Sequence, residues 1–231
     1  MTTIANLLNI KVPKGNLFYP CCGSDTIEPV TLFINEDITF HFCDYNEIYL
    51  PKVKGIKRTK EIKTIEYLID EYQVMTQKIE NTKNSHDDCR YLYKEVWFNE
   101  GNKKTVDLVC YIDKGESVLK QIDQLSVFFY RGDSMSGLGS GVWWLGPEFF
   151  PQVVEKIVDG GFIITDGSNP DPQNLDTPWS QLYEHSHFHF ADLAEGELPR
   201  NFIYHNNYFK LIGEVTERYG KSYVWRLERI T

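Results

Sequence analysis

Asn16-Leu17-Phe18-Tyr19-Pro20-Cys21-Cys22-Gly23-Ser24-Asp25-Thr26-Ile27-Glu28-Pro29-Val30-Thr31-Leu32-Phe33 is the stretch on which the fold turns. A short apolar run, Leu17-Phe18-Tyr19, suits a buried strand. It stops at a turn-rich bend, Pro20 to Asp25. A short helix is expected next, with Asp25 or Thr26 as its cap and Pro29 in or near its first turn, where a missing N–H costs least. The helix must be brief, because residues 38–43 already read as a second strand, rich in β-branched and aromatic residues. That strand ends at Asp44-Tyr45-Asn46.

The rest of the chain extends the pattern. Residues 51–63 are basic and aperiodic and read as a loop. In residues 64–80, Ile65, Leu68, Ile69, Tyr72, Met75 and Ile79 make one helical apolar stripe. Residues 91–98 and 105–112 read as an antiparallel hairpin. A short helix over 116–122 leads to residues 125–130, an apolar run fit for a strand covered on both faces. The glycine-rich stretch 131–141 is a loop. Phe150, Val153, Val154, Ile157 and Val158 then form the core face of another helix, with Gly160 as its left-handed end. Residues 162–165 make a further strand, and residues 208–217 and 222–229 flank Arg218-Tyr219-Gly220-Lys221 as a closing hairpin.

Strands alternating with helices predict a mostly parallel α/β sheet with helices on both faces and an antiparallel C-terminal hairpin. One domain over 1–231 is expected, with a helix-plus-hairpin insert at about 51–104. The turn-rich loops all follow strands, which puts them on one rim, where open α/β sheets bind ligands.

Composition narrows the function. The 231 residues are 42% apolar and 25% charged, a globular balance that excludes disorder. Asp and Glu number 33 against 24 Lys and Arg, a formal charge of -9. Nonspecific grip on nucleic acid or an anionic membrane is therefore not expected as the main activity. No signal peptide and no 18-residue apolar span is read. Cys21, Cys22, Cys43, Cys89 and Cys110 are odd in number and lack zinc-site spacing. Reduced cysteines in a cytoplasmic protein are the expectation.

Four separated pieces resemble the class I S-adenosylmethionine-dependent methyltransferases. Their first strand and loop read as an acidic residue followed by Gly-Cys-Gly-x-Gly, which Tyr19-Pro20-Cys21-Cys22-Gly23-Ser24-Asp25 resembles. About 20 residues later an acidic residue holds the ribose; Asp44 matches in position and type. Asp159-Gly160-Gly161-Phe162-Ile163-Ile164-Thr165 resembles the family's fifth strand with its preceding Gly-Gly pair, and the closing hairpin is similar to the end of its sheet. The resemblance implies methyl transfer from S-adenosylmethionine to an unidentified acceptor. It places Cys22, Gly23 and Ser24 at the methionine side and Asp44 at the ribose. Asp113 falls at the adenine amino group, Arg131 at the cofactor, and Asp133 at the acceptor as the catalytic carboxylate. The sequence departs from the family at Tyr19, Cys21 and Asp25. Asp25 sets a negative charge where the methionine carboxylate is expected. These departures motivate the alternative, a degenerate methyltransferase-like binding or interaction protein without cofactor.

Other segments carry weaker readings. No Asn/Asp-Pro-Pro-Tyr motif occurs, which disfavours amino methylation. No Gly-x-Gly-x-x-Gly follows the first strand, which disfavours a nicotinamide reductase. Trp143 and Trp144 either line an acceptor pocket or fill core, and Asp166 either offers a second carboxylate on the rim or makes an Asx-type turn before Pro170, the reading favoured. His185, His187 and His189 would share one face of a strand, yet no further ligand completes a recognised set, and no metal is expected. The lysines and Arg58 of residues 51–63 read as a solvated loop.

Overall fold

The computed structural model describes residues 3–45, 48, 50, 56–62, 91–99, 103–131, 142–166, 201–217 and 220–230. Among these the chain runs α1 (Ile4–Leu8), β1 (Gly15–Pro20), α2 (Ile27–Phe33), β2 (Ile38–Asp44), β3 (Ile56–Ile62), β4 (Tyr91–Asn99), β5 (Lys104–Ile112), α3 (Gly115–Gln121), β6 (Leu125–Tyr130), α4 (Phe150–Lys156), β7 (Ile157–Thr165), β8 (Asn201–Tyr204), β9 (Asn207–Glu217) and β10 (Gly220–Arg229). The strands form one mixed sheet in the order β3-β4-β5-β2-β1-β6-β7-β10-β9-β8.

Its centre is parallel. β1 pairs with β2 and β6, β2 with β5, and β6 with β7. Every residue of β6 is buried, as its unbroken apolar run requires. The order reverses between β1 and β6: from β1 the chain builds outward to β2 and β5, and from β6 to β7. The register aligns Pro20 with Cys43, Asp44 with Ile112, and Tyr130 with Thr165. The carboxyl ends of all five parallel strands therefore share one rim, as the sequence implied. Both flanks are antiparallel: β10 against β7 with β9 and β8 beyond, and β4 and β3 beyond β5.

Side chains alternate along the central strands, so these feed two cores. One contains Leu17, Tyr19, Phe40, Phe42, Val127 and Phe129, together with Ile4 of α1 and Val30, Leu32 and Phe33 of α2. The other contains Phe18, Cys43, Phe128 and Tyr130, with Val118 and Leu119 of α3 and Phe150, Val153 and Val154 of α4. Trp143 and Trp144 are 6% and 1% exposed and belong to this second core. Of the two readings of these residues, core filling describes them. Arg229 ties the closing strand to α4, donating Nη2 to the carbonyls of Val154 (2.9 Å) and Ile157 (2.6 Å). A cation at the last carbonyls of a helix also opposes its dipole.

Several elements differ from expectation. Residues 56–62, expected as loop, form β3 at the sheet edge. Their charge hides the strand pattern, but charged edge strands are common because they resist unwanted pairing. The helix of residues 150–158 ends at Lys156, and Ile157 turns extended (φ -70°, ψ 128°) to start β7. Gly160 is thus a strand residue, at φ 76°, within the stretch where the register against β6 shifts between Leu125 and Val127. Neither Asp25 nor Thr26 caps α2: Thr26 holds the cap position with no side-chain cap bond, and Asp25 is engaged elsewhere. The 64–80 helix and His185, His187 and His189 lie outside the described residues. The short elements α1 and β8 had no counterpart in the sequence reading.

Gly115 opens α3 where space is tight. A Cβ there would lie 2.4 Å from Trp144 Cζ2 and 3.3 Å from Pro20 Cβ. Trp144 is locked edge-on against Phe18 (5.8 Å between centroids) and packs on Phe149 (5.1 Å), so it has nowhere to move. Gly115→Ala is expected to destabilise the fold by about 1–3 kcal/mol, the usual cost of overpacking. A lowered urea midpoint with an unchanged slope checks this.

Candidate ligand site

The bend after β1 keeps a glycine-like course. Cys21 sits at φ 56° and Gly23 at φ 51°. A residue with a Cβ rarely takes that left-handed conformation, which costs roughly 1–2 kcal/mol. Cys21 thus holds the bend in the shape a glycine would give it. The bend is then tied to β2. Cys22 N–H donates to Cys43 O at 3.1 Å, and Gly23 N–H donates to Asp44 Oδ2 at 2.8 Å. From the far side, Asp113 N–H donates to Asp44 O at 3.1 Å. Gly23, Asp44 and Asp113, the tips of three neighbouring strands, meet in one corner.

Their side chains differ in availability. Asp44 is half-buried, and a carboxylate can accept about four hydrogen bonds in all. Asp113 is 8% exposed, and its Oδ1 accepts from Lys114 N–H at 2.6 Å. Ser24 is exposed on the bend. Cys22 is 2% exposed and part of the core. Burial, with Asp44, Cys110 and Cys43 nearby, pushes its thiol well above the ordinary range, which leaves it an inert, protonated group. Cys43 is likewise raised by burial and donates to Asp113 O at 3.2 Å.

The second feature lies where the strand order reverses, between β1 and β6. Arg131, directly after β6, is 2% exposed. Its Nε and Nη2 reach Asp25 Oδ2 and Oδ1 at 2.6 and 2.8 Å, a two-pronged ion pair. Tyr19 OH lies 2.9 Å from Asp25 Oδ2 and 3.0 Å from Arg131 O, and so shares its proton between them. Burial, then the Asp25 charge, pushes the Tyr19 phenol well up, so it remains a donor. The guanidinium also lies 5.7 Å from the Phe129 ring.

Glu28, in the first turn of α2, completes the group. Its Oε2 is 3.7 Å from Arg131 Nη2 and has no hydrogen-bond partner among the described residues. Burial, then the hydrogen bond and charge of Asp25, pushes its carboxyl from 4.5 up to about 7, although Arg131 pulls the other way. One guanidinium does not neutralise two carboxylates, so Glu28 keeps a proton. The folded form therefore binds more protons than the unfolded chain between these two values. Unfolding free energy should fall as pH rises through that window and level off above it. Glu28→Gln should flatten the slope, read from urea midpoints at about pH 5 and about pH 8.

The sequence reading placed Arg131 and the bend at the cofactor but missed that Arg131, Asp25 and Tyr19 hold one another. The signal was present: Tyr19 and Asp25 both break the glycine-loop pattern, and both belong to this cluster. Asp133 lies outside the described residues. Asp166 follows β7 on the same rim. Among the described residues no group of three or more His, Cys, Asp or Glu is placed to hold a metal ion, and no helix is long and apolar enough to cross a membrane.

No family model matches the chain, and no curated protein matches it. Among solved structures it is similar to an rRNA methylase from Streptococcus thermophilus. The identity is 9% and the TM-score 0.38, over 99% of this chain and 95% of that one. A likeness that low carries no argument, so the functional reading rests on the strand order and on the corner itself.

Proposed function

We propose that this is a methyltransferase-like chain, a Rossmann-type sheet covered by helices on both faces, which binds the adenosyl part of an S-adenosylmethionine-type ligand. The observation that carries the reading is the 2.8 Å contact between Gly23 N–H and Asp44 Oδ2. It brings an acid at the tip of one strand over the bend of its neighbour, beside the point where the strand order reverses. Ligands of open α/β sheets bind at that place. Asp44 would accept from the ribose hydroxyls, Ser24 and the bend would line the 5′ side, and Asp113 would face the base. These residues fit a nucleoside. S-Adenosylmethionine, when bound, would supply the methyl group.

In its enzymatic form the chain transfers that methyl to an acceptor oriented by Asp133. Such a reaction asks mainly for proximity and alignment. In its other form the chain binds a nucleoside or a protein partner without catalysis. The Arg131–Asp25 ion pair favours this second form, because it fills the boundary between β1 and β6 with the chain's own side chains. Calorimetric titration with S-adenosylmethionine, S-adenosylhomocysteine, adenosine and NAD tests the reading. Binding of the adenosyl compounds in preference to NAD is expected. Absence of binding to all four would leave only the architecture.

A further inference from the structure

The ion pair bears on which adenosyl compound the corner accepts, an inference that rests on the nucleoside reading above. Arg131 is the cation that lies, among the described residues, at the carboxyl ends of β1 and β6. It would be the natural anchor for a ligand carboxylate in the crevice between those strands. Asp25 already occupies the Nε–Nη2 edge of that guanidinium with both of its oxygens, at 2.6 and 2.8 Å. Tyr19 OH fastens Asp25 in place at 2.9 Å, and Glu28 Oε2 stands 3.7 Å from the same Nη2. The chain thus supplies its own carboxylate where an amino-acid ligand would bring one.

Displacing Asp25 is unfavourable on two counts. Asp25 would lose its counter-ion while its side chain is only 13% exposed, and an uncompensated buried charge is costly. Among the described residues the surroundings are also short of positive charge. Glu28 already holds its proton up to about 7 under burial and the charge of Asp25. Asp44 and Asp113 lie in the adjoining corner. A second anion would enter a region that has already neutralised one of its own.

We propose that Asp25 acts as a built-in substitute for a ligand carboxylate, so that the corner selects adenosyl compounds lacking a carboxylate over those carrying an amino-acid end. Asp25 is then a specificity-determining residue, and the group it leaves room for beyond the 5′ position is neutral or cationic.

S-Adenosylhomocysteine and its decarboxylated analogue, S-adenosyl-3-thiopropylamine, differ by that one carboxylate and make a clean pair of probes. Calorimetry on the full chain should find the decarboxylated compound bound at least roughly tenfold tighter, an amount that one poorly compensated charge readily produces. Asp25→Asn keeps the side-chain shape and removes the charge that pairs with the Nε–Nη2 edge of Arg131. It should bring the ratio near one by strengthening binding of S-adenosylhomocysteine. Asp25→Gly, which also removes the side chain, should do the same, and a melting curve for each variant verifies folding. Equal or tighter binding of S-adenosylhomocysteine by the unaltered chain would overturn the proposal. So would a ratio unchanged in both folded variants. If the unaltered chain binds neither compound and not adenosine, the nucleoside reading itself fails and takes this inference with it. Binding of both without preference refutes the inference alone.

Discussion

Arg131→Ala is expected to lower the unfolding free energy by about 3–5 kcal/mol, the loss typical when one partner of a buried ion pair is removed. Arg131 is 2% exposed and Asp25 13% at the side chain, so water does not replace the lost cation. The deletion leaves Asp25 with the Tyr19 hydroxyl and the Glu28 carboxyl in place of its ion-pair partner. It also removes the charge that pulls the Glu28 proton affinity down. Packing is lost as well, because the guanidinium lies beside the Phe129 ring. The same reasoning predicts recovery in a paired change. Arg131→Met with Asp25→Ala takes away both charges and keeps an apolar stem in the gap, so most of the stability should return. Urea denaturation of the two single variants and the double variant measures the coupling. A loss under about 1 kcal/mol for Arg131→Ala would mean that the pair behaves as a surface contact.

Asp44→Ala is expected to weaken adenosine binding by roughly 10- to 100-fold, since hydrogen bonds to a charged group contribute about 1.5–3 kcal/mol. The fold should change little. Asp44 ends β2, its backbone carbonyl still accepts from Asp113 N–H, and the substitution removes one side-chain bond from Gly23. Asp44→Asn should fall between the two proteins, because an amide oxygen accepts from one hydroxyl but lacks the charge and the second acceptor. Calorimetric titrations of the three proteins, with melting curves alongside, separate loss of the site from loss of structure.

The parallel centre was legible because β1 and β6 are apolar on both faces and are closed by turn-rich bends. Leu17-Phe18-Tyr19 and the run from Leu125 to Tyr130 leave little alternative to buried strands. The closing hairpin was legible from its turn residues. β3 was not, because Lys57, Arg58 and Lys60 sit on an edge that needs no apolar face, and backbone pairing leaves no trace in composition. The helix before β7 was read too long for a related reason. Ile157 and Val158 suit a helix face and a strand equally, and only their contact with β6 decides.

At the site, the reading named Gly23, Asp44 and Asp113, which lie together at the strand tips, and missed pairings. Asp44 lies over the bend, in the neighbourhood expected of it. Asp25 was read as a liability for a ligand carboxylate, and Arg131 as a residue for the cofactor. Taken separately, neither suggests the other across a separation of 106 positions. The pairing depends on β1 and β6 being neighbours, which is a property of strand order. With that order known, a tyrosine, an aspartate and an arginine at the tips of adjacent strands become an evident group.

The most direct measurement compares adenosine with 2′,3′-dideoxyadenosine on the unaltered protein and on Asp44→Ala. If the carboxylate holds the ribose, removing the hydroxyls should weaken binding to the unaltered protein roughly tenfold or more. It should make no difference to Asp44→Ala, because the partner is already gone. Equal binding of the two nucleosides by the unaltered protein, or an undiminished difference in the variant, would contradict the assignment of this corner.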